Sequence, residues 1–288
     1  MILDLFSVIL QNYSEKVCDE VAKVDFSYIS SKENKLVKAI RKLMSSARER
    51  NQTNLFVLEG LRLCMDAALN NYKIEKLVVS ESFTESDKIE LIKNSANELY
   101  KVPDSLFSYL SDTVSPQGVL CVVRKPDTLF NTNEIVSGRY IALENTADPA
   151  NLGTIARTAE ALGLKGLIIS SNGCDPFSPK AQRAGMGALL RLPIIISNSF
   201  IDDMLLIKSK GFKVFASVVN NADCDVAKVN YPNDAVVMIG NEANGLSDEA
   251  VSVSDMKITI TMSGRAESLN AAAAAAIIMW EITRNGGV

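Results

Sequence analysis

The chain has 288 residues, 47% of them apolar, with a formal net charge of −4 and no histidine. That length accommodates two domains with their own cores. The missing histidine excludes Ser-His-Asp hydrolysis and His-ligated metal chemistry, so catalysis falls to Arg, Lys, Asp, Glu, Ser, Tyr, Cys or a cofactor. Residues 1–30 read as an N-terminal extension. Met1 to Gln11 is apolar but carries Asp4 and no basic leader, so it reads as a packing helix and not as a signal peptide. Ser30-Ser31 caps a helix from about Lys32, with Lys35, Lys38 and Lys42 on one face and Leu36, Ile40 and Leu43 on another. Leu55–Leu58 is a strand running into Glu59-Gly60, and Leu61–Leu69 a helix. Strand Ile74–Val79, helices around Ser86–Asn97 and Asp104–Leu110, and strand Val119–Val123 complete an α/β domain over residues 31–124. Residues 125–138, with Pro126, Asn131, Asn133 and Gly138, read as a linker.

From 139 to 288 strands alternate with helices. The strands are Tyr140–Leu143, Gly166–Ser170, Pro193–Ile196, Lys213–Val218, Val236–Ile239 and Ile258–Thr261; the last helix covers about Glu267–Arg284. That alternation predicts a doubly wound parallel sheet. No apolar run is long enough to span a membrane. Cys18, Cys64, Cys121, Cys174 and Cys224 form no CxxC pair, which argues against a zinc site or disulfide framework and for a reducing cytoplasm.

Local charge differs from the total. Lys32, Lys35, Lys38, Arg41, Lys42, Arg48 and Arg50 stand against only Glu33 and Glu49, and Lys180, Arg183 and Arg191 have no acid among them. Such patches suit nucleic acid, although a solvated helix face has the same composition.

Three segments carry the chemistry. In Tyr140–Leu164 a strand leads through a polar loop, Glu144 to Pro149, into a helix holding Asn151 and Arg157. In Val236–Ser247 a strand runs straight into Gly240-Asn241-Glu242-Ala243-Asn244-Gly245. In Ile258–Ala276 a strand and a Gly-containing loop precede Glu267-Ser268-Leu269-Asn270, which reads as the opening of an alanine-rich helix. Open α/β sheets place ligands at such strand ends.

Together and in this order, Asn151–Ala159, Gly240–Ser247 and Ile260–Asn270 resemble the three signature motifs of the SpoU-type RNA 2′-O-ribose methyltransferases of the SPOUT superfamily. The resemblance covers roughly 32 to 285. It implies a ribosomal-protein-like α/β RNA-binding domain followed by a SPOUT α/β domain with a deep trefoil knot, S-adenosylmethionine as cofactor, and a homodimer in the cytoplasm with no metal. It further implies roles for matching residues. Gly240, Ile260, Met262, Ser268 and Leu269 hold the cofactor, and Arg157 serves catalysis with Asn151, Glu242, Ser268 and Asn270. Lys35, Lys38, Arg41, Arg48, Arg50, Lys180 and Arg183 contact RNA. The separate N-terminal domain tilts the expected substrate toward ribosomal RNA. The alternatives are a transfer RNA methyltransferase of the same family and a noncatalytic RNA-binding protein on the same fold. A nucleotide-binding oxidoreductase lacks its GxGxxG signature here. The third motif departs from the family at Thr261, where proline is common, and after Asn270, where only alanines follow.

Overall fold

The computed structural model describes residues 25–84, 87–265 and 267–284; the helix expected at Met1–Gln11 lies outside them. The N-terminal half orders as β1 (Ser27–Tyr28), α1 (Lys35–Ser45), α2 (Ala47–Thr53), β2 (Leu55–Glu59), α3 (Leu61–Leu69), β3 (Ile74–Ser80), α4 (Asp87–Ser95), β4 (Ala96–Val102), α5 (Asp104–Leu110) and β5 (Val119–Arg124). Its sheet runs β1-β4-β3-β5-β2, with β1, β4 and β3 parallel and β5 antiparallel to both β3 and β2. Side chains alternate across a strand. Thus Phe56, Leu58, Leu77, Cys121 and Val123 pack one core with α3 and α4, while Val57, Val78, Leu120 and Val122 pack the other with α1 and α5.

Two expectations shift here. The first helix starts at Lys35, because Asn34 Oδ1 accepts from Leu36 N at 2.8 Å and caps it in place of Ser30-Ser31. The helix expected to reach Asn97 stops at Ser95 and the chain turns directly into β4.

The C-terminal half orders as β6 (Arg139–Leu143), α6 (Pro149–Ala161), β7 (Gly166–Ser170), α7 (Pro179–Gly185), α8 (Ala188–Arg191), β8 (Ile194–Ser197), α9 (Phe200–Ser209), β9 (Lys213–Ser217), β10 (Cys224–Asp225), β11 (Ala235–Ile239), α10 (Asp248–Val253), β12 (Met256–Thr259) and α11 (Ala271–Arg284). All seven strands are parallel, in the order β10-β12-β9-β11-β6-β7-β8. A parallel sheet buried on both faces needs near-continuous apolar strands, and β7 and β11 are buried at every position. One face packs α6, α8 and α11, the other α9 and α10. From β6 the order steps outward through β7 and β8, and the chain then returns to β6's other side. The switch point lies between β6 and β11, where the loops leaving their C-terminal ends face each other.

The halves share apolar contacts. Phe177 and Leu190, from the C-terminal half, belong to the core built on Phe56, and the Phe56 and Phe177 rings lie 5.1 Å apart. The segment expected as a linker runs along the edge strand β8: Ile196 N donates to Thr128 O at 2.6 Å and Phe130 N to Ile196 O at 2.9 Å. Among the described residues no helix is long and apolar enough to cross a membrane.

Candidate active site

At the switch point a single carboxylate gathers the loops. Glu242 accepts from Ala147 N at 3.0 Å, from Asp148 N at 3.3 Å and from Asn151 Nδ2 at 2.9 Å. Burial alone would raise its pKa. The backbone N–H groups and the Asn151 amide outweigh that and hold it below the ordinary 4.5. Its hold on the loop is therefore complete above that ordinary value and is lost as pH falls through the lowered one. Asn151 Oδ1 in turn accepts from Asn270 Nδ2 at 3.1 Å, and Asn270 Oδ1 accepts from Ala272 N at 2.9 Å. A carboxylate at one end and a backbone N–H at the other leave one orientation for both amides. Asn151, Glu242 and Asn270, one from each motif, thus form a single hydrogen-bonded chain.

The loop after β11 is closed on itself. Asn241 and Gly245 exchange backbone hydrogen bonds at 2.9 Å each way, and Asn241 Nδ2 donates to Asn145 O at 2.8 Å. A Cβ on Gly240 would lie 2.0 Å from the Gly245 carbonyl carbon. The glycine is therefore required by the loop's own return, whatever its backbone does toward a ligand. Two residues without a role in the sequence-based assignment complete the arrangement. Glu144 is buried and takes both the amide (2.7 Å) and the hydroxyl (2.6 Å) of Ser247. Its position directly after an apolar strand was the available signal. A groove of about 390 Å³ opens between these loops, lined by Glu144, Asn145, Asn244 and Ser247.

Arg157 is exposed on α6, and among the described residues no side chain pairs with it. Its two acidic candidates are taken: Glu160 by Arg191, at 2.7 and 3.2 Å, and Glu144 by Ser247. Cys174, near Glu242, is no nucleophile; burial and the Glu242 charge push its thiol up to about 12.

The third motif differs most from expectation. Glu267, Ser268 and Leu269 lie in an exposed loop, and the helix begins only at Ala271, because the Asn270 side chain caps it. At the position where the family often has proline, Thr261 donates both its amide (3.1 Å) and its hydroxyl to Asp225. Proline has neither donor, so this chain replaces a stiff ring with a two-point anchor. Ile260 packs against the cluster containing Ile239, Ile258 and Ala272, while Leu269 stays 37% exposed and Met262 half-buried. Among the described residues, 262–269 make no hydrogen bond to the rest of the chain. Accessible apolar side chains beside free backbone donors and acceptors fit a purine nucleoside, whose faces are apolar and whose edges are polar.

The residues expected to bind RNA divide. Lys35, Arg41 and Arg48 enter no ion pair among the described residues, and Lys38 is exposed but paired with Glu33. Arg50 is not available to RNA: it is buried, with Nε 2.7 Å from Asp175 and NH1 donating to Leu43 O. Arg183 bridges the halves through Asp112 at 2.7 Å, and Lys180 pairs with Asp148, the cap of α6, at 2.7 Å. The last two thus stand as struts beside the site.

Residues 138–280 match the SpoU rRNA Methylase family, and residues 34–121 match the MRM3-like substrate binding domain. The chain is 27% identical over 256 residues to the 23S rRNA (guanosine(2553)-2′-O)-methyltransferase RlmP of Bacillus subtilis (strain 168), covering 88% of this chain and 98% of that one. The AdoMet-bound rRNA methyltransferase from Sinorhizobium meliloti superposes with a TM-score of 0.81 at 30% identity, over 90% of this chain and 98% of that one. The SpoU methyltransferase AviRb from Streptomyces viridochromogenes, in complex with AdoMet, gives 0.78 at 26% identity, over 87% and 98%.

Proposed function

The chain belongs to the SpoU rRNA methylase family, and from that premise we propose that it methylates a ribose 2′-hydroxyl of ribosomal RNA, using S-adenosylmethionine. The observation that carries this reading is Arg157, an unpaired guanidinium on the helix whose first turn is bound into the Glu242–Asn151–Asn270 chain.

S-adenosylmethionine, when bound, supplies an electrophilic methyl group with its own leaving group, so alignment can furnish much of the rate. Gly240, Ile260, Met262, Ser268 and Leu269 form the wall that holds it. A ribose hydroxyl is a very weak acid, and arginine stays protonated. Arg157 therefore holds an RNA phosphate and stabilises the alkoxide that develops on the attacking oxygen, without itself taking the proton. Asn151, Glu242 and Asn270 fix the three loops against one another, so that the hydroxyl and the methyl meet at a set distance.

Ribosomal RNA is favoured over transfer RNA because the N-terminal domain provides a second surface, and because RlmP, named for a 23S rRNA position, aligns along nearly its whole length. A homodimer belongs to the same reading. On α11, Ile277 and Trp280 are exposed, Trp280 by 57%, and a second copy of this chain would cover them. The trefoil knot and the cytoplasmic setting are proposed on the same family basis.

The test is incubation of the protein with methyl-labelled S-adenosylmethionine and, separately, unmodified ribosomal RNA and transfer RNA. Label recovered as a 2′-O-methylnucleotide from ribosomal RNA is expected. Label in transfer RNA alone would overturn the substrate, and absence of both label and cofactor binding would overturn the enzyme.

A further inference from the structure

Tyr109 lies near the end of α5 and is 42% exposed. The Lys32 Nζ sits 4.8 Å from its ring centroid and the Arg41 guanidinium carbon 5.1 Å from it. The cations come from a different part of the domain, Lys32 just before α1 and Arg41 within it. A cation this close is attracted by the ring's quadrupole, and two of them hold the ring in place at the surface. A lone exposed tyrosine would need no explanation. This one is set in uncompensated charge. Among the described residues Lys32, Lys35, Arg41, Lys42 and Arg48 enter no ion pair, while nearby acids are engaged: Glu33 by Lys38, Asp112 by Arg183, and Asp104 by the Ser82 amide. Unpaired like charges repel one another, and a polyanion relieves that repulsion.

An aromatic ring among free cations has the parts needed to bind a single-stranded nucleotide. The ring stacks on a base, and the cations take the flanking phosphates. The position suits a substrate that also reaches the methyl-transfer site. Asp112, three residues beyond Tyr109, grips Arg183 on α7; one turn earlier on α7, Lys180 grips Asp148 beside Glu242. Two ion pairs therefore lead from the ring to the catalytic loops.

We infer that Lys32, Arg41 and Tyr109 form a stacking platform for an unpaired RNA nucleotide other than the one methylated. This inference rests on the RNA-methylating function proposed above.

The experiment measures the affinity of the full chain for an unmodified ribosomal RNA transcript over a range of salt concentrations, with S-adenosylmethionine affinity and methyl transfer recorded alongside. Tyr109→Leu keeps apolar bulk but removes the ring, and is expected to weaken RNA binding roughly five- to 150-fold, the range that base stacking spans. Its salt slope and cofactor affinity stay at wild-type values, since stacking releases no counterions. Tyr109→Phe keeps the ring and binds within about twofold of wild type, whereas Lys32→Ala and Arg41→Ala each lower the slope by about 0.7. Wild-type affinity in Tyr109→Leu, or an equal loss in Tyr109→Phe, overturns the platform while methyl transfer by the wild-type protein still stands. A wild-type protein that binds no RNA overturns the functional reading beneath it, and the platform with it.

Discussion

On α1, Lys35, Arg41 and Lys42 stand in no ion pair among the described residues, whereas Lys180, Arg183 and Arg191 on α7 and α8 are each bound to a carboxylate. In the chain the second group has no acid near it, and the first has two. The acids that neutralise the second group arrive from elsewhere: Asp148 from the α6 cap, Asp112 and Asp66 from the N-terminal half, Glu160 from α6. Arg191 spans Asp66 at 2.8 Å and Glu160 at 2.7 Å, so it ties the N-terminal half to the helix that carries Arg157. Gly187 is shaped to this bridge, since a Cβ there would lie 1.9 Å from Asp66 Oδ2. Burial raises the Asp66 pKa, and Arg191 works against that rise. One group of cations therefore holds the protein together, and the other remains free for a polyanion.

Four substitutions probe that division, taken from the largest effect downward. Arg157 is free like the α1 residues but stands at the catalytic loops, and Arg157→Ala should lower kcat by about 10²- to 10³-fold, the loss typical when one charge-stabilising donor is removed. RNA and cofactor affinities should stay near wild type; a kcat within tenfold of wild type would remove Arg157 from the chemistry. Arg50→Ala leaves Asp175 in a largely buried site without its partner and should cost about 3 kcal/mol in urea unfolding. A cost below about 0.5 kcal/mol, the range of ordinary surface substitutions, would mean that the pair does not hold the halves together. Lys42→Ala should leave stability unchanged and reduce the salt slope of RNA binding by about 0.7. An unchanged slope would remove Lys42 from the RNA surface. Lys180→Ala breaks an exposed pair, so its stability change should stay within about 1 kcal/mol. Its RNA salt slope should match wild type, and a reduced slope would return Lys180 to the RNA surface.

Much of the fold was legible because burial leaves a strong mark. Strands β7 and β11 are apolar along their whole length, since a parallel sheet covered on both faces allows nothing else. β4 was missed for the converse reason. Ala96–Val102 lies next to the two-residue edge strand β1 and keeps exposed polar positions at Asn97 and Glu98, which fit the end of a helix equally well. At the site, residue types and their order were legible. Their connections were not. That Asn151 links Glu242 to Asn270 depends on side chains 91 and 119 residues apart in sequence. The loop reading of Ser268 and Leu269 was hidden by the alanines that follow, whose high helix propensity suggests an earlier start than the Asn270 cap permits.

The sequence by itself determined the two α/β halves, the seven-stranded pattern's buried strands and the three polar loops at strand ends, because burial restricts which residues can occupy each place. Only the tertiary structure decided which cations are struts and which are free. An ion pair depends on distance in space, and Arg191 meets Asp66 across 125 positions of chain.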